Sequence, residues 1–245
     1  MIEQIKVCSL KPWWEHINNW RHLLRSLLLN LSILCVFYFQ TKNNFLGGLD
    51  FFSLLVIYII IWCILMSFSL VNDIVVSTNN AGIFEQVFMS SCGITTYTFI
   101  QIVQKNICSI GFITVLITIV NGITKSFSFE LIVSFFLTLL VGSFSILGVG
   151  YIISAIAMSI NFSNISMLLR LIFLLIIVKC ENGIFIPFVQ CKMLLTDLIL
   201  NYSYLWEQNP KSILILFINS FIYIVIGILT FSIVTAKQIR INADY

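Results

Sequence analysis

Hydrophobic residues in this chain neither alternate with polar ones nor recur on a single helical face; they come in long runs. Uncharged stretches extend from Phe51 to Asn72, Asn106 to Thr124, Leu131 to Leu169 and Ser212 to Ala236. Each is long enough to cross about 30 Å of hydrocarbon as helix. A shorter stretch, Ser26 to Thr41, is extended by Leu23 and Leu24 on the other side of Arg25. The Leu131 to Leu169 stretch is too long for one crossing, and "SINFSN" at 159–164 offers a turn of Ser and Asn inside it. The run after that turn, Ile165 to Val178, is crossed only by Arg170, which lies near the expected cytoplasmic end of its helix, where snorkelling suffices. The pattern therefore predicts an all-α integral membrane protein with six transmembrane helices. A β-barrel would need short alternating segments, and these runs are apolar on every side.

Composition agrees with this picture. Hydrophobic residues make up 60% of the chain and charged ones only 9%, with a mean hydropathy of +1.05, far from the balance of a soluble domain. No repeat, low-complexity tract or Pro/Gly-rich linker marks a second domain, so residues 1–245 are expected to form one transmembrane unit. Trp13, Trp14, Glu15 and His16 stand where the apolar core of a cleavable signal peptide would begin.

Six spans place both termini on one side. Lys6, Lys11, Arg21 and Arg25 precede the first span and Lys237 and Arg240 follow the last, which makes that side cytoplasmic. The bias is modest, since Lys42, Lys125, Lys179, Lys192 and Lys211 fall on the other face. The net charge of +3 thus bears on topology and gives no reason to expect nucleic acid as a partner; the lipid bilayer is the expected surrounding.

Residues 10–25, "LKPWWEHINNWRHLLR", project as an amphipathic helix. Trp13, Ile17, Trp20 and Leu24 form one stripe, with Glu15, Asn18, Asn19, Arg21 and Arg25 elsewhere, and Pro12 suits a first turn. Such a helix lies in the headgroup layer. It either anchors the first span or forms a lever along the membrane base that touches a cytoplasmic partner.

"AGIFEQVFMSS", residues 81–91, falls in the cytoplasmic connection between the second and third spans. It carries one carboxylate, Glu85, among Ile83, Phe84, Val87 and Phe88. Locally it fits an interfacial helix with Glu85 solvated. Together with "YTFIQIVQK" it also resembles the segment after the second span of type-two ABC exporter permeases, where a Gly-x-x-Glu-Gln core leads to a helix reaching a Lys; Gly82, Glu85, Gln86 and Lys105 match. "LLVGSFSILGVGYIISAIAMSI" (139–160) is similar to that family's fourth span, "NGIFIPF" (182–188) to its Gly-x-x-x-Pro break after the fifth, and "EQNPKS" (207–212) to the Asn-Pro before its last span. The chain departs from the family at Ser91 and Cys92, where a Pro is usual, at Asn79 and Asn80, where an acid is usual, and in lacking a second Pro after the outer break.

The resemblance implies a permease subunit of an ATP-driven exporter. In such transporters a short cytoplasmic helix sits in a cleft of a separate ATPase subunit. Residues 82–88 would be that coupling helix, with Ile83, Phe84, Val87 and Phe88 filling the cleft and Glu85 and Gln86 fixing the register. ATP and magnesium would sit on the partner ATPase, this chain itself holding no cofactor or metal. A second permease, a copy or a paralogue, would complete the pathway. The substrate expected is a hydrophobic or amphipathic compound, an antimicrobial peptide or drug being favoured, with lipid or polysaccharide open. A haem-exporter-like permease of cytochrome maturation shares six spans and a Glu-Gln connector, but the segment from Lys179 to Lys211 is longer than it would need. The richness in Ile, Asn, Phe and Lys suits an AT-rich bacterial genome, and hence a plasma membrane.

Residues 180–210 are expected on the outer face. The apolar stretch after Lys179 and Glu181 is too short to span and suits a re-entrant segment closed by Gly183 and Pro187, which by resemblance would cap the export path as an outer gate. Cys180 and Cys191 share that side, and their spacing alone leaves a disulfide open. The other cysteines are expected to be reduced or inert. Gly142, Ser145, Gly148, Gly150, Ser154 and Ala155 would let the fourth span approach its neighbours closely. Enzyme chemistry finds no support: the only imidazoles are His16 and His22, and HExxH, GxSxG and GxxxxGK[ST] are all missing. A channel would want a ring-forming charge pattern or a filter repeat, and no span carries one.

Overall fold

The structure, a computed structural model, describes residues 51–80, 93–124, 128–160, 163–180, 183, 185–201 and 204–243, together with Asn30, Ser32, Ile33 and Val36. Its elements are α1 (Phe51–Asn80), α2 (Gly93–Thr124), α3 (Phe129–Ile160), α4 (Ser163–Lys179), α5 (Val189–Leu200), a single 3-10 turn (Leu205–Glu207) and α6 (Pro210–Ala243). No strand occurs among the described residues.

Helix boundaries follow local chemistry. Ser128 caps α3: its hydroxyl accepts the Leu131 N–H (3.3 Å) and its carbonyl the Ile132 N–H, while Glu130 sits in the first turn where the helix dipole favours an acid. Asn209 does the same for α6, accepting the Lys211 N–H at 3.0 Å, and Pro210 takes the first helical position, where its missing N–H costs nothing. The Asn-Pro pair is therefore a helix start signal in its own right. Helix α3 ends at Ile160 and α4 starts at Ser163, so the boundary between them lies inside "SINFSN".

Among the described residues three helical stretches are long and apolar enough to cross a membrane: Thr95–Gly122, Phe129–Ser159 and Pro210–Lys237. This is fewer than the six expected. Of the first expected span only Asn30, Ser32, Ile33 and Val36 are described, the apolar part of α1 is the shorter Ser53–Phe68, and α4 has only 17 residues with Arg170 among them.

The third helix is central. One cluster joins Leu55, Ile59 and Cys63 of α1, Ile110, Ile113 and Ile117 of α2, Phe135, Leu139 and Ile146 of α3, and Leu194, Leu195 and Leu198 of α5. A second cluster joins Val71, Ile102, Leu147, Tyr151, Ala155 and Phe231, with Tyr151 and Phe231 edge-to-face at 5.3 Å. By contrast α6 keeps Leu214, Phe217, Phe221, Leu229 and Ile233 more than half exposed along its length. A continuous apolar face of this kind is costly in water and matched to hydrocarbon.

Candidate functional site

Of the residues singled out from the sequence, Gly82, Ile83, Phe84, Glu85, Gln86, Val87 and Phe88, and likewise Trp13, Ile17, Trp20 and Leu24, lie outside the described residues. Gly183 and Pro187 are described, and the structure builds an elaborate junction around them.

Helix α4 ends at Lys179 and α5 begins at Val189, so the path is interrupted for a few residues. Three side chains compensate the backbone there. Lys192 donates from Nζ to the carbonyls of Ile177 (3.3 Å), Val178 (2.8 Å) and Cys180 (3.1 Å). A lysine ammonium has three donors, and here all serve the C-terminal carbonyls of α4, where the helix dipole also favours a cation. Asn219 and Tyr223 of α6 donate to the carbonyls of Ile186 (3.2 Å) and Phe185 (2.6 Å). Cys191 instead ties α5 to α3, donating from its thiol to the Thr138 carbonyl at 3.4 Å.

The turn itself is compact. Phe188 has φ of 67°, a left-handed conformation rare for a side-chain-bearing residue; its ring, 1% exposed, is held in the core, and burial of that ring offsets the strain. Pro187 is buried. Gly183 lies under Ile186, whose Cδ1 would stand 2.8 Å from any added Cβ.

The junction lies deep within the bundle. Gly142 faces Cys191 so closely that a Cβ on it would overlap the sulfur, and it would also stand 3.4 Å from Phe188. From Phe129 to Gly142 the α3 axis advances about 20 Å at roughly 1.5 Å per residue. On α6, Tyr223 lies a similar distance from Pro210. From that depth α5 returns toward the starts of α3 and α6, where Leu205 N–H meets the Ser134 hydroxyl at 3.3 Å and Ser128 meets Tyr204 at 3.4 Å. Val189, Gln190, Cys191, Leu194, Leu195, Leu198 and Ile199 are all buried along the way. Residues 189–199 are thus part of the core. Cys180 and Cys191 are not joined in a disulfide.

A second polar knot ties α1, α2 and α3 together. Buried Asn106 donates to Ser143 at 2.7 Å and accepts from Ser67 at 3.3 Å, and Ser143 passes its own hydroxyl to the Leu140 carbonyl at 2.8 Å. Each group is satisfied within the bundle, which fits a device that fixes helix register. Among the described residues no cluster of His, Cys, Asp or Glu is arranged to hold a metal.

Lys192, Asn219 and Tyr223 were not among the residues singled out from sequence. Of the three only Lys192 was named there, and only among the lysines counted on the outer face. A scan against family models, a search of curated proteins and a search of solved structures each found no match to this chain.

Proposed function

We propose that the chain is the membrane permease subunit of an ATP-driven exporter. It would have six spans, both termini in the cytoplasm of a bacterial cell, and residues 180–210 toward the outside. The observation that carries this reading is the discontinuity between α4 and α5. Non-helical backbone at bundle depth is costly, and is tolerated where protein groups satisfy it and where a pathway passes. Here three side chains, Lys192 of α5 and Asn219 and Tyr223 of α6, are committed to such a break. Its position agrees with the Gly-x-x-x-Pro stretch that resembles the outer break of type-two ABC exporter permeases. Gly183 and Pro187 then belong to an outer gate, and residues 81–91 to the coupling element.

In this reading a separate subunit binds ATP and magnesium, and a second permease supplies the other half of the path. The substrate is a hydrophobic or amphipathic compound such as an antimicrobial peptide or drug. Affinity purification of the full chain from its native membrane, with identification of co-purifying proteins, tests it. Recovery of an ATPase subunit, followed by ATP-dependent export of a peptide or drug from reconstituted vesicles, is expected. Recovery of a chain that forms ion-conducting pores without any ATPase would overturn the proposal in favour of a channel.

A further inference from the structure

Three levels of contact join α2 to α3. On α2, Thr98, Ile102 and Asn106 recur at every fourth residue and are all buried; on α3, Ser143, Leu147 and Tyr151 do the same. The Asn106–Ser143 hydrogen bond at 2.7 Å sets the register of the two helices. Four residues from it along each helix, Ile102 and Leu147 share a core cluster. Eight residues from it, about 12 Å at roughly 1.5 Å per residue, Thr98 and Tyr151 are neighbours.

The first level is closed by hydrogen bonds and the second by apolar packing. The third is not closed. Tyr151 Oη is buried and has no hydrogen-bond partner among the described residues, while Thr98 turns its own hydroxyl back to the Thr95 carbonyl at 3.1 Å. A phenol sealed in an apolar cluster without an acceptor is costly. Phe would fill the same volume without that cost and keep the edge-to-face contact with Phe231. In this arrangement of the helices the hydroxyl is a liability.

From this we infer that α2 has a second arrangement against α3, in which Tyr151 donates to the Thr98 hydroxyl and latches the two helices at that level. A hydroxyl that donates can accept at the same time, so Thr98 need not leave the Thr95 carbonyl. The moving member is α2. Helix α3 is locked against α6 where Gly148 meets Gly227, and against α1 at Gly150, where an added Cβ would stand 2.9 Å from Val71. Gly111 and Gly122 of α2, by contrast, would carry a Cβ with nothing within 4 Å. Asn106, bonded to both α1 and α3, is the pivot. A tilt of about 5° there carries Thr98 roughly 1 Å, the difference between a neighbour and a hydrogen-bond partner. The inference is independent of the export reading, since it concerns two arrangements of one chain.

Electron–electron double resonance on the full chain in lipid nanodiscs tests it, with spin labels at Thr96→Cys and Ile156→Cys in an otherwise cysteine-free background. Both positions are exposed, and they lie beyond the latch on α2 and α3. Two distances are expected, the shorter in a minority on the order of a tenth of the molecules. Tyr151→Phe and Thr98→Val should each abolish the shorter distance, their combination should do no more, and Thr98→Ser, which keeps the acceptor, should retain it. Tyr151→Phe should also raise the melting temperature by a few degrees, because it removes the unpaired hydroxyl from the major arrangement. A single distance in the parent chain, or two that persist in Tyr151→Phe, would overturn the latch. So would a lower melting temperature in Tyr151→Phe, which would show the hydroxyl already paired through a buried water.

Discussion

Gly148 of α3 and Gly227 of α6 interlock backbone to backbone: a Cβ on Gly148 would fall on the carbonyl of Tyr223, and one on Gly227 would fall on the carbonyl of Gly148. The two helices meet with no side chain between them. Since lipid is as apolar as any leucine, this contact draws on dispersion and close approach, which only the absence of a Cβ permits.

Gly148→Ala and Gly227→Ala should therefore each destabilise the protein by about 1–3 kcal/mol, because the obstacle is backbone and cannot rotate away. Gly122→Ala is the control. Nothing lies within 4 Å of its added Cβ, so it should be neutral or stabilise by about 0.5–1 kcal/mol through helix propensity. Thermal unfolding in detergent distinguishes them, and three equal melting temperatures would refute the packing account.

How much of this could be read from the sequence divides along physical lines. The boundary between α3 and α4 inside "SINFSN", the Asn209–Pro210 start of α6 and the small residues of the fourth span were legible, because each is a local preference of the residues concerned. The true length of α2 was not. Charge-free runs suggested a start at Asn106, whereas the helix begins at Gly93, since Gln101, Gln104 and Lys105 interrupt hydrophobicity without interrupting the hydrogen-bond ladder. Gly227 was illegible as a partner of Gly148, because a contact between distant positions leaves no periodic trace in one sequence. Lys192 was hidden for the same reason: its three acceptors are backbone carbonyls, which have no sequence identity.

Lys192→Met should loosen the α4–α5 junction. It leaves the carbonyls of Ile177, Val178 and Cys180 without their charged donor, and a hydrogen bond to a charged group is worth roughly 1.5–3 kcal/mol. Amide exchange in residues 185–192 should accelerate about tenfold or more while that of α3 stays slow, and Lys192→Arg should restore part of the protection. Unchanged exchange in the Met variant would mean the cap is incidental.

Topology can be checked with single cysteines in a cysteine-free background. Trp206, 59% exposed beside its stacking partner Tyr204, is a suitable outer reporter, whereas Leu195 is fully buried and would be silent from either side. A membrane-impermeant maleimide added to intact cells should label Trp206→Cys and spare Gln86→Cys. Labelling of position 86 alone would invert the proposed orientation.

The connector at 81–91 offers the sharpest test of the export proposal. Glu85→Ala should leave expression and insertion intact, since one carboxylate in a connector contributes little to folding. It should nevertheless weaken coupling, because the helix would lose a charge-assisted contact worth roughly 1.5–3 kcal/mol at the ATPase surface. Phe88→Ala should act in the same direction by filling the cleft less well, at a cost on the order of 2 kcal/mol if the ring is covered there. Both residues lie outside the apolar spans, so substrate affinity within the membrane should not move. Substrate-stimulated ATP hydrolysis and export by the reconstituted complex would fall together in both variants. Normal export by both, with the ATPase still bound, would reduce "AGIFEQVFMSS" to a linker and leave the coupling role without support.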